Sequence, residues 1–318
     1  MAVLTLVARR LAAALVLLGA LSVITYGLLV ASPGGPEQVL LGTRPSTPET
    51  RAAIRAEYHL DDPFPLRYAR WLGDAVQGDF GVSIYSREPV ADVIADRLPV
   101  TAGLAGYALL ITFAVGVPVG LVAAMGRGGL LDQGITLGSL VLLAVPPFAM
   151  SILLLYGFAV ALGWFPVFGA GETFAERVTH LTLPALALAA AQAALVVRQM
   201  RAAALDLAGQ DFLTFARARG LPRMRVWIGY ALRNAALPVL TIGGLLLAAN
   251  LTGALFVEQA FGLHGLGALL IAAVGQKDIP VVQALVLFSG AIVVAVNLLI
   301  DLAYLVVDPR VRHGAVAL

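Results

Sequence analysis

The stretch Leu98–Ala124 reads LPVTAGLAGYALLITFAVGVPVGLVAA and contains no charged side chain. It is longer than the ~20 apolar residues that an α-helix needs to cross the hydrocarbon of a bilayer. Lipid offers the backbone no water to bond with, so each peptide group must find its partner within the segment itself. We therefore predict that this stretch is a membrane-spanning helix.

Five further apolar stretches have the same character. The first, Leu11–Ala31, follows the pair Arg9-Arg10 and exceeds the apolar core of about 7–15 residues found in cleaved signal peptides. It is interpreted as a retained first span. The remaining stretches are Ile135–Leu162, Leu181–Val197, Leu237–Val257 and Val281–Val307. Together they predict an all-α polytopic membrane protein with six transmembrane helices.

The composition favours the same class. Apolar residues make up 60% of the chain and charged residues 13%, against about 45–50% and about 25% in soluble proteins. A water-soluble fold of this composition would expose more apolar surface than such folds tolerate. The net charge of +2 and the pI near 9.1 would also suit a nucleic-acid-binding protein. Arginines on cytoplasmic loops account for both values, so we expect a lipid bilayer and no nucleic acid as partner.

Metal, thiol and ATP chemistry have little support in the sequence. The chain has no cysteine, and its four histidines are scattered, so we predict no disulfide and no metal site. No span carries a Ser/His, paired-Asp or His/Glu constellation, so no catalytic residue is predicted. The lone lysine, Lys277, is not part of a phosphate-binding Gly-x-x-x-x-Gly-Lys-[Ser/Thr] loop. The chain is therefore not expected to hydrolyse ATP itself.

The distribution of charge predicts the orientation. Segments on the side of the N-terminus carry 12 basic and four acidic residues, whereas the opposite side carries nine basic and 14 acidic residues. Because basic residues are enriched on the cytoplasmic side, we predict that both termini are cytoplasmic.

Residues 32–97, between the first two spans, form a long segment on the outer side that we expect to be structured. An N-cap at Ser46 or Thr47 predicts a short helix that runs to about Tyr58. A second, amphipathic helix at Leu66–Val76 is suited to lie against the membrane surface or a partner.

The cytoplasmic segment at about 198–235 has a distinct pattern, GQDFLTFARARGLP at positions 209–222. Gly220 stands where a left-handed residue would end a helix, and Pro222 prevents its continuation. A second helix would then lead back to the membrane. Arginine-rich loops can follow from the orientation rule alone. A rigid hairpin ended by glycine also suits docking into a groove on a partner.

This hairpin resembles the EAA loop of ABC importer permeases. Thr214-Phe215-Ala216-x-x-x-Gly220, with Leu237-Pro238 downstream, follows its Glu-Ala-Ala-x-x-x-Gly pattern. Thr and Phe replace Glu and Ala, as is usual in the dipeptide, oligopeptide and nickel branch. Further matches to that branch are Arg9-Arg10-Leu11, His59-Leu60-Asp61-x-Pro63, Gly78-Asp79-Phe80-Gly81, Arg97-Leu98-Pro99-x-Thr101, Val257-Glu258-x-x-Phe261 and Asp308-Pro309-Arg310-Val311-Arg312. One departure is His264, which stands where the family usually has proline.

The resemblance implies a type I ABC importer permease, with residues 1–318 forming one transmembrane permease domain. Within it, residues 1–31 hold the N-terminus and first span, 98–307 the five-span core, and 308–318 a cytoplasmic tail. Implied partners are a second homologous permease, two ABC ATPase subunits that bind ATP and magnesium, and an external substrate-binding protein. The implied cargo is oligopeptides or dipeptides, with nickel or another small solute as the alternative. The implied location is a bacterial inner membrane.

The resemblance also assigns site residues. Contacts with the ATPase are expected from Asp211, Thr214, Phe215, Ala216, Arg217, Ala218, Arg219 and Gly220. Candidates for the translocation pathway are Pro146, Pro147, Asn250, Asn297 and Asp301, and candidates for contact with the binding protein are Glu258 and His264.

The pathway and outer candidates each have a structural alternative. Asp301 can pair with an arginine, Asn250 and Gln192 can bond helices together, and Glu258 can cap a turn. The prolines can kink their helices without lining a pore. Two rival functional classes are an integral membrane enzyme and a secondary transporter. The second would predict internal repeats, and none is recognisable in the sequence.

Overall fold

The computed structural model of the chain describes residues 2–31, 35–41, 46–57, 59–208 and 210–307. In these ranges the chain is mainly helical, with one isolated antiparallel bridge between Val82 and Pro89. The helices are α1 Ala2–Ala31, α2 Gly35–Leu41, α3 Pro48–Glu57, α4 Phe64–Val76, α5 Val90–Met125, α6 Leu130–Ala144, α7 Pro147–Leu154, α8 Phe174–Ala208, α9 Asp211–Ala218, α10 Arg223–Val226, α11 Arg233–Ala260, α12 Leu266–Gln276 and α13 Ile279–Val307. Two π-helical segments, Leu155–Ala161 and Trp227–Leu232, continue α7 and α10.

The described helices agree with the predicted number of spans. Four segments are long and apolar enough to cross a membrane: Ala8–Val30, Val90–Met125, Phe174–Ala208 and Ile279–Ile300. Two bent pairs also qualify when each is counted as one span: Leu130–Ala144 with Pro147–Ala161, and Ile242–Asn250 with Gly253–Ala260. The total is then six.

The third predicted span differs most from expectation. We expected one kinked helix over Ile135–Leu162, but the chain breaks at Pro146 and the two halves are bent by 101°. Pro146 and Val145 before it both have extended backbones, with ψ values of 148° and 116°. A proline clashes with a helical residue before it and donates no hydrogen bond, so two prolines in succession stop the helix.

Other boundaries differ because hydropathy detects only the apolar part of a helix. Helix α5 begins at Val90, eight residues before the predicted span, and α8 extends past the predicted Leu181–Val197 at both ends. The 11-residue helix α12 was not predicted, since it is shorter than the ~20 residues of a full span. It ends at Lys277, which is left-handed with φ 57°.

The chain divides into two compact units, one comprising residues 1–99 with 265–318 and the other residues 100–264. In the first unit α1 packs along α13, and a Cβ atom on Gly290 would lie 2.7 Å from a methyl group of Leu21. In the second unit α8 is central and packs against α6, α7 and α11.

A pair of glycines permits the close contact of α5 with α8 in the second unit. A Cβ atom on Gly120 would lie 2.6 Å from the carbonyl oxygen of Val197, and one on Gly116 would lie 2.7 Å from a methyl group of Val196. Their Gly-x-x-x-Gly spacing places both on one helix face. In lipid, association of helices depends on such close van der Waals packing.

The outer segment of the first unit is anchored to the first span. Thr47 Oγ1 accepts a hydrogen bond from the Thr50 amide at 3.2 Å, so Thr47 caps α3 as predicted. On α4, Tyr68 shares a 2.7 Å hydrogen bond with Ser22 of α1, and the Trp71 ring lies 5.1 Å from that of Tyr26. The partner of the amphipathic helix therefore includes α1.

A buried carboxylate joins the outer segment to the last helix of the same unit. Asp278 accepts hydrogen bonds from the Ser83 hydroxyl at 2.5 Å and from the amides of Ile84 and Tyr85 at 3.1 and 3.3 Å. Its own carbonyl accepts from the Val282 amide at 3.0 Å, at the start of α13. We call this arrangement the Asp278 clamp.

A partly buried ion pair joins α6 to α8 in the second unit. Arg201 donates from Nε and Nη2 to the two oxygens of Asp132, at 2.5 and 2.8 Å. The Gly128 amide donates to the same carboxylate at 2.9 Å, and the Asp132 side chain is almost fully buried. Planar two-point contact of this kind fixes direction as well as distance. The pair holds the last turns of α8, which precede the hairpin of α9 and α10.

We expect Gly120→Ala to destabilise the protein by about 1–3 kcal/mol, because the added methyl group meets backbone and overpacks the contact. Gly106→Ala in the same helix is the matched control, since its Cβ meets nothing within 4 Å. Thermal unfolding in detergent should show a lower midpoint for the first variant alone. Equal midpoints would mean that the glycine contact does not matter.

We expect Asp132→Asn to lower the thermal midpoint, because the partly buried Arg201 guanidinium loses its counterion. The control is Asp206→Asn, an exposed acid on α8. A double variant with Arg201→Gln should be less destabilised than the sum of the two single changes. Additive effects would contradict the assignment of a coupled pair.

Candidate functional site

The hairpin formed by α9 and α10 has the predicted turn. Helix α9 ends at Ala218, and Gly220 is left-handed with φ +75°. The Leu221 amide donates to the Ala216 carbonyl at 3.4 Å, which is the closing bond of a Schellman motif. Pro222 follows and α10 begins at Arg223. The predicted sequence of helix, glycine turn and returning helix is confirmed.

One face of helix α9 packs against the rest of the second unit. Leu213 and Ala216, three residues apart, are buried and belong to a core cluster that includes Met200 of α8 and Trp227. Leu221 packs against the same cluster. The short helix is thus fixed to the end of α8 by apolar contacts, although eight residues are too few to be stable alone.

The opposite face of α9 is open. Phe215 is 70% exposed, and Asp211, Ala218 and Arg219 are also exposed. Residues 211, 215 and 218 follow helical spacing and share one face. Aromatic residues and arginine are enriched in protein interfaces relative to the rest of the surface. The side chains of Thr214 and Arg217 lie outside the described residues.

Asn250 lies inside the second unit, in a hydrogen-bonded contact between helices. Gln192 Nε2 of α8 donates to Asn250 Oδ1 of α11, and Asn250 Nδ2 donates to the Ala105 carbonyl of α5 at 3.3 Å. Both side chains are buried. The structural alternative is therefore confirmed for this pair.

The other pathway candidates belong to different units of the chain. Pro146 and Pro147 break a helix of the second unit, as described above. Asn297 belongs to the first unit, where it is exposed and lines a shallow cavity of about 160 Å³ together with Leu17 and Val294. The Asp301 side chain lies outside the described residues. A role for any of them in transport stays a prediction.

The two residues predicted to contact the binding protein differ in exposure. Glu258 is fully buried and accepts a 2.6 Å hydrogen bond from Thr101, while its carbonyl accepts one from the Leu263 amide at 2.9 Å. A side chain so enclosed does not reach an external protein, so the geometry favours the alternative in which Glu258 stabilises the turn. His264 is exposed.

Sequence reasoning missed both buried acids that organise the chain, Asp132 and Asp278. No local signal reveals their partners, since Asp278 and Ser83 are 195 residues apart. Within the described residues no three His, Asp or Glu side chains are grouped so as to hold a metal ion.

Comparison with known proteins identifies the family. The profile of the binding-protein-dependent transport system inner membrane component matches residues 116–313, and the profile of its N-terminal part matches residues 3–105. The oligopeptide transport system permease protein AppB of Bacillus subtilis is 37% identical over 304 residues, covering 94% of this chain and 96% of that protein. A putative peptide permease protein of Brucella suis is 38% identical over 312 residues, covering 95% and 97%.

A solved structure agrees in fold. The chain resembles an inward-facing form of the MetNI methionine ABC transporter with a TM-score of 0.54 and 15% identity, covering 68% of this chain and 96% of that one. At this identity the likeness concerns the fold alone, and it confirms the predicted type I importer architecture. The chain belongs to the family of binding-protein-dependent transport system inner membrane components, the membrane-spanning permeases of ABC importers.

Proposed function

We propose that this permease forms, with a second homologous permease, the translocation path for oligopeptides or dipeptides in an ATP-driven importer. The observation that carries the proposal is the 37% identity, over 94% of the chain, to a permease named for oligopeptide transport. An external binding protein would deliver the peptide, and two ABC ATPases would bind ATP and magnesium. The chain itself contains no phosphate-binding loop.

The exposed face of α9 is the proposed docking surface for one ATPase. We define the coupling surface as Asp211, Phe215, Ala218, Arg219 and Gly220. Its exposure, its central aromatic ring and its rigid seat on Leu213 and Ala216 support this assignment. Thr214, Phe215, Ala216 and Arg217 are assigned to the same hairpin by the family pattern.

Movement of the coupling surface would pass into the membrane through the core cluster. Leu213 and Ala216 share that cluster with Leu121 and Ala124 of α5 and with Met200 and Ala204 of α8. Tightly packed cores move as discrete units, so a displacement of α9 would move the cytoplasmic ends of both helices. This route accounts for the conversion of ATPase closure into pore opening.

The proposed setting is the inner membrane of a bacterium, with both termini cytoplasmic. The excess of arginine on the N-terminal side supports this orientation, as does the position of the coupling surface in the segment between α8 and α11. Residues 59–89 of the outer segment would then face the binding protein.

We expect Gly220→Val to abolish peptide uptake in cells that depend on this importer, and to weaken co-purification of the ATPase. A β-branched residue is strained at φ +75°, by about 1–2 kcal/mol from the left-handed backbone alone. Gly220→Asn is the matched control, because asparagine tolerates this conformation and a Cβ here meets nothing within 4 Å. Membrane insertion should be unchanged in both variants.

Full uptake by the valine variant would show that the glycine turn is not needed for coupling. Uptake of nickel in place of peptides by the unchanged importer would contradict the proposed cargo. The coupling proposal would survive that result.

The orientation can be measured with single cysteines, because the chain has none of its own. Arg87→Cys, at an exposed position of the outer segment, should react with a membrane-impermeant maleimide in spheroplasts. Arg219→Cys, exposed on the coupling surface, should react only after the membrane is opened. The reverse pattern would overturn the proposed topology.

A further inference from the structure

The outer part of the first unit contains a cavity of about 260 Å³ that the proposed transport mechanism does not use. It lies beside α4, the outer end of α1 and the start of α13. Residues of opposite charge and aromatic residues line it together, among them Tyr26, Arg67, Trp71, Asp74, Asp79 and Gln283. Its volume is below the ~300–1,000 Å³ of pockets for drug-sized ligands, which limits it to small molecules.

Helix α4 separates the charges along the cavity. Arg67, Arg70, Trp71 and Asp74 follow the i, i+3, i+4, i+7 spacing of one helix face. The seven residues from Arg67 to Asp74 correspond to a rise of about 10 Å along the axis. The cavity therefore has a guanidinium toward one end, a carboxylate toward the other and an aromatic ring between them.

Arg67 has an unused donor. Its Nε is buried and has no hydrogen-bond partner within the described part of the chain. A guanidinium is always charged, and a buried donor without an acceptor is costly. Arg67 also lines a second cavity, but Glu37 and Asp61 there already lie 2.7 and 3.9 Å from Arg55 nitrogens. Arg67 lines the first cavity and forms no ion pair with a described residue, so its positive charge is available to an anion bound there.

The other charged residues that line the cavity differ in whether they already have a partner. Arg70 bonds to the Asp62 carboxylate, and Asp79 accepts the Gly81 amide at 2.8 Å. Asp74 is exposed and forms no ion pair with another described residue. Asp74 is thus the carboxylate best placed to receive a cation. The rings of Tyr26 and Trp71 lie 5.1 Å apart. Together with Leu29 they form an apolar wall of the cavity.

We propose that this cavity binds a short zwitterionic peptide, with its terminal carboxylate on Arg67 and its ammonium group toward Asp74. An extended chain rises 3.3–3.6 Å per residue, so two to three residues span about 7–10 Å, close to the separation of the two charges along α4. The identity of the ligand as a peptide rests on the proposed function. That the ligand carries one negative and one positive group is inferred from the cavity alone.

The test is a binding titration with dialanine on the full purified chain in phosphatidylcholine nanodiscs, followed by calorimetry. We expect saturable binding, weakened about tenfold or more by Arg67→Gln, the loss expected when a charged hydrogen bond is removed. Arg87→Gln is the matched control and should bind dialanine normally, since Arg87 is an exposed arginine of the same segment outside the cavity.

Ligand analogues separate the two ends. Dialanine amide lacks the carboxylate, so it should bind about tenfold more weakly than dialanine to the unchanged chain and equally weakly to Arg67→Gln. Asp74→Asn, a change at an exposed position, should weaken the binding of dialanine but not that of N-acetyl-dialanine, which lacks the ammonium group. Each result would support the proposed orientation.

Three results would overturn the proposal. Dialanine could fail to saturate the unchanged chain, or bind Arg67→Gln as tightly as the unchanged chain. Phosphoethanolamine could bind in an Arg67-dependent manner while dialanine does not, which would make the cavity a lipid headgroup site. If the importer takes up peptides but the chain does not bind dialanine, only the cavity site is overturned. If the chain binds dialanine but the importer takes up no peptides, only the importer assignment is overturned.

Discussion

The fold depends on the fact that lipid offers no hydrogen-bond partners. Backbone groups in a span bond within their own helix, and a buried polar side chain is costly unless it finds a partner in the protein. The amide of Asn250 does so by joining α5, α8 and α11 through Ala105 and Gln192. Glu258 does so through Thr101. These bonds link helices that distant parts of the chain supply, and they define which helices are neighbours in the second unit.

Small residues then set how closely those neighbours approach. At Gly116 and Gly120 the backbone of α5 touches α8, where a methyl group would collide. The close contact continues to the C-terminal end of α8, where Met200 and Ala204 pack against Leu213 and Ala216 of α9. The Asp132–Arg201 pair adds a directional contact to the same end. The coupling surface is thus supported by the membrane core, although α9 itself has only eight residues.

Local rules predicted much of this structure from sequence. Apolar length located the four long spans and the two bent pairs, Thr47 marked the start of α3, and Gly220 marked the end of α9. Each of these depends on neighbouring residues alone. The sharp break at Pro146 was foreseen only as a kink, because the angle depends on what the following helix packs against.

Pairings between distant residues could not be predicted. Asp132 and Arg201 are 69 positions apart, and their neighbours carry no mark of the pairing. For the candidate site, the geometry of the hairpin followed from its glycine and proline, but its role came from resemblance to a family. The burial of Glu258 follows from its contact with Thr101, which became apparent only once α5 and α11 were placed side by side.

The Asp278 clamp has a mechanical consequence. The Asp278 carboxylate accepts hydrogen bonds from three consecutive residues of one loop. The backbone carbonyl of Asp278 accepts a hydrogen bond from the first turn of α13. The loop and the first turn of that helix therefore cannot be displaced independently without breaking several buried bonds at once. A force applied to this loop is therefore passed directly to the first turn of α13, so the clamp acts as a rigid joint between the loop and that helix.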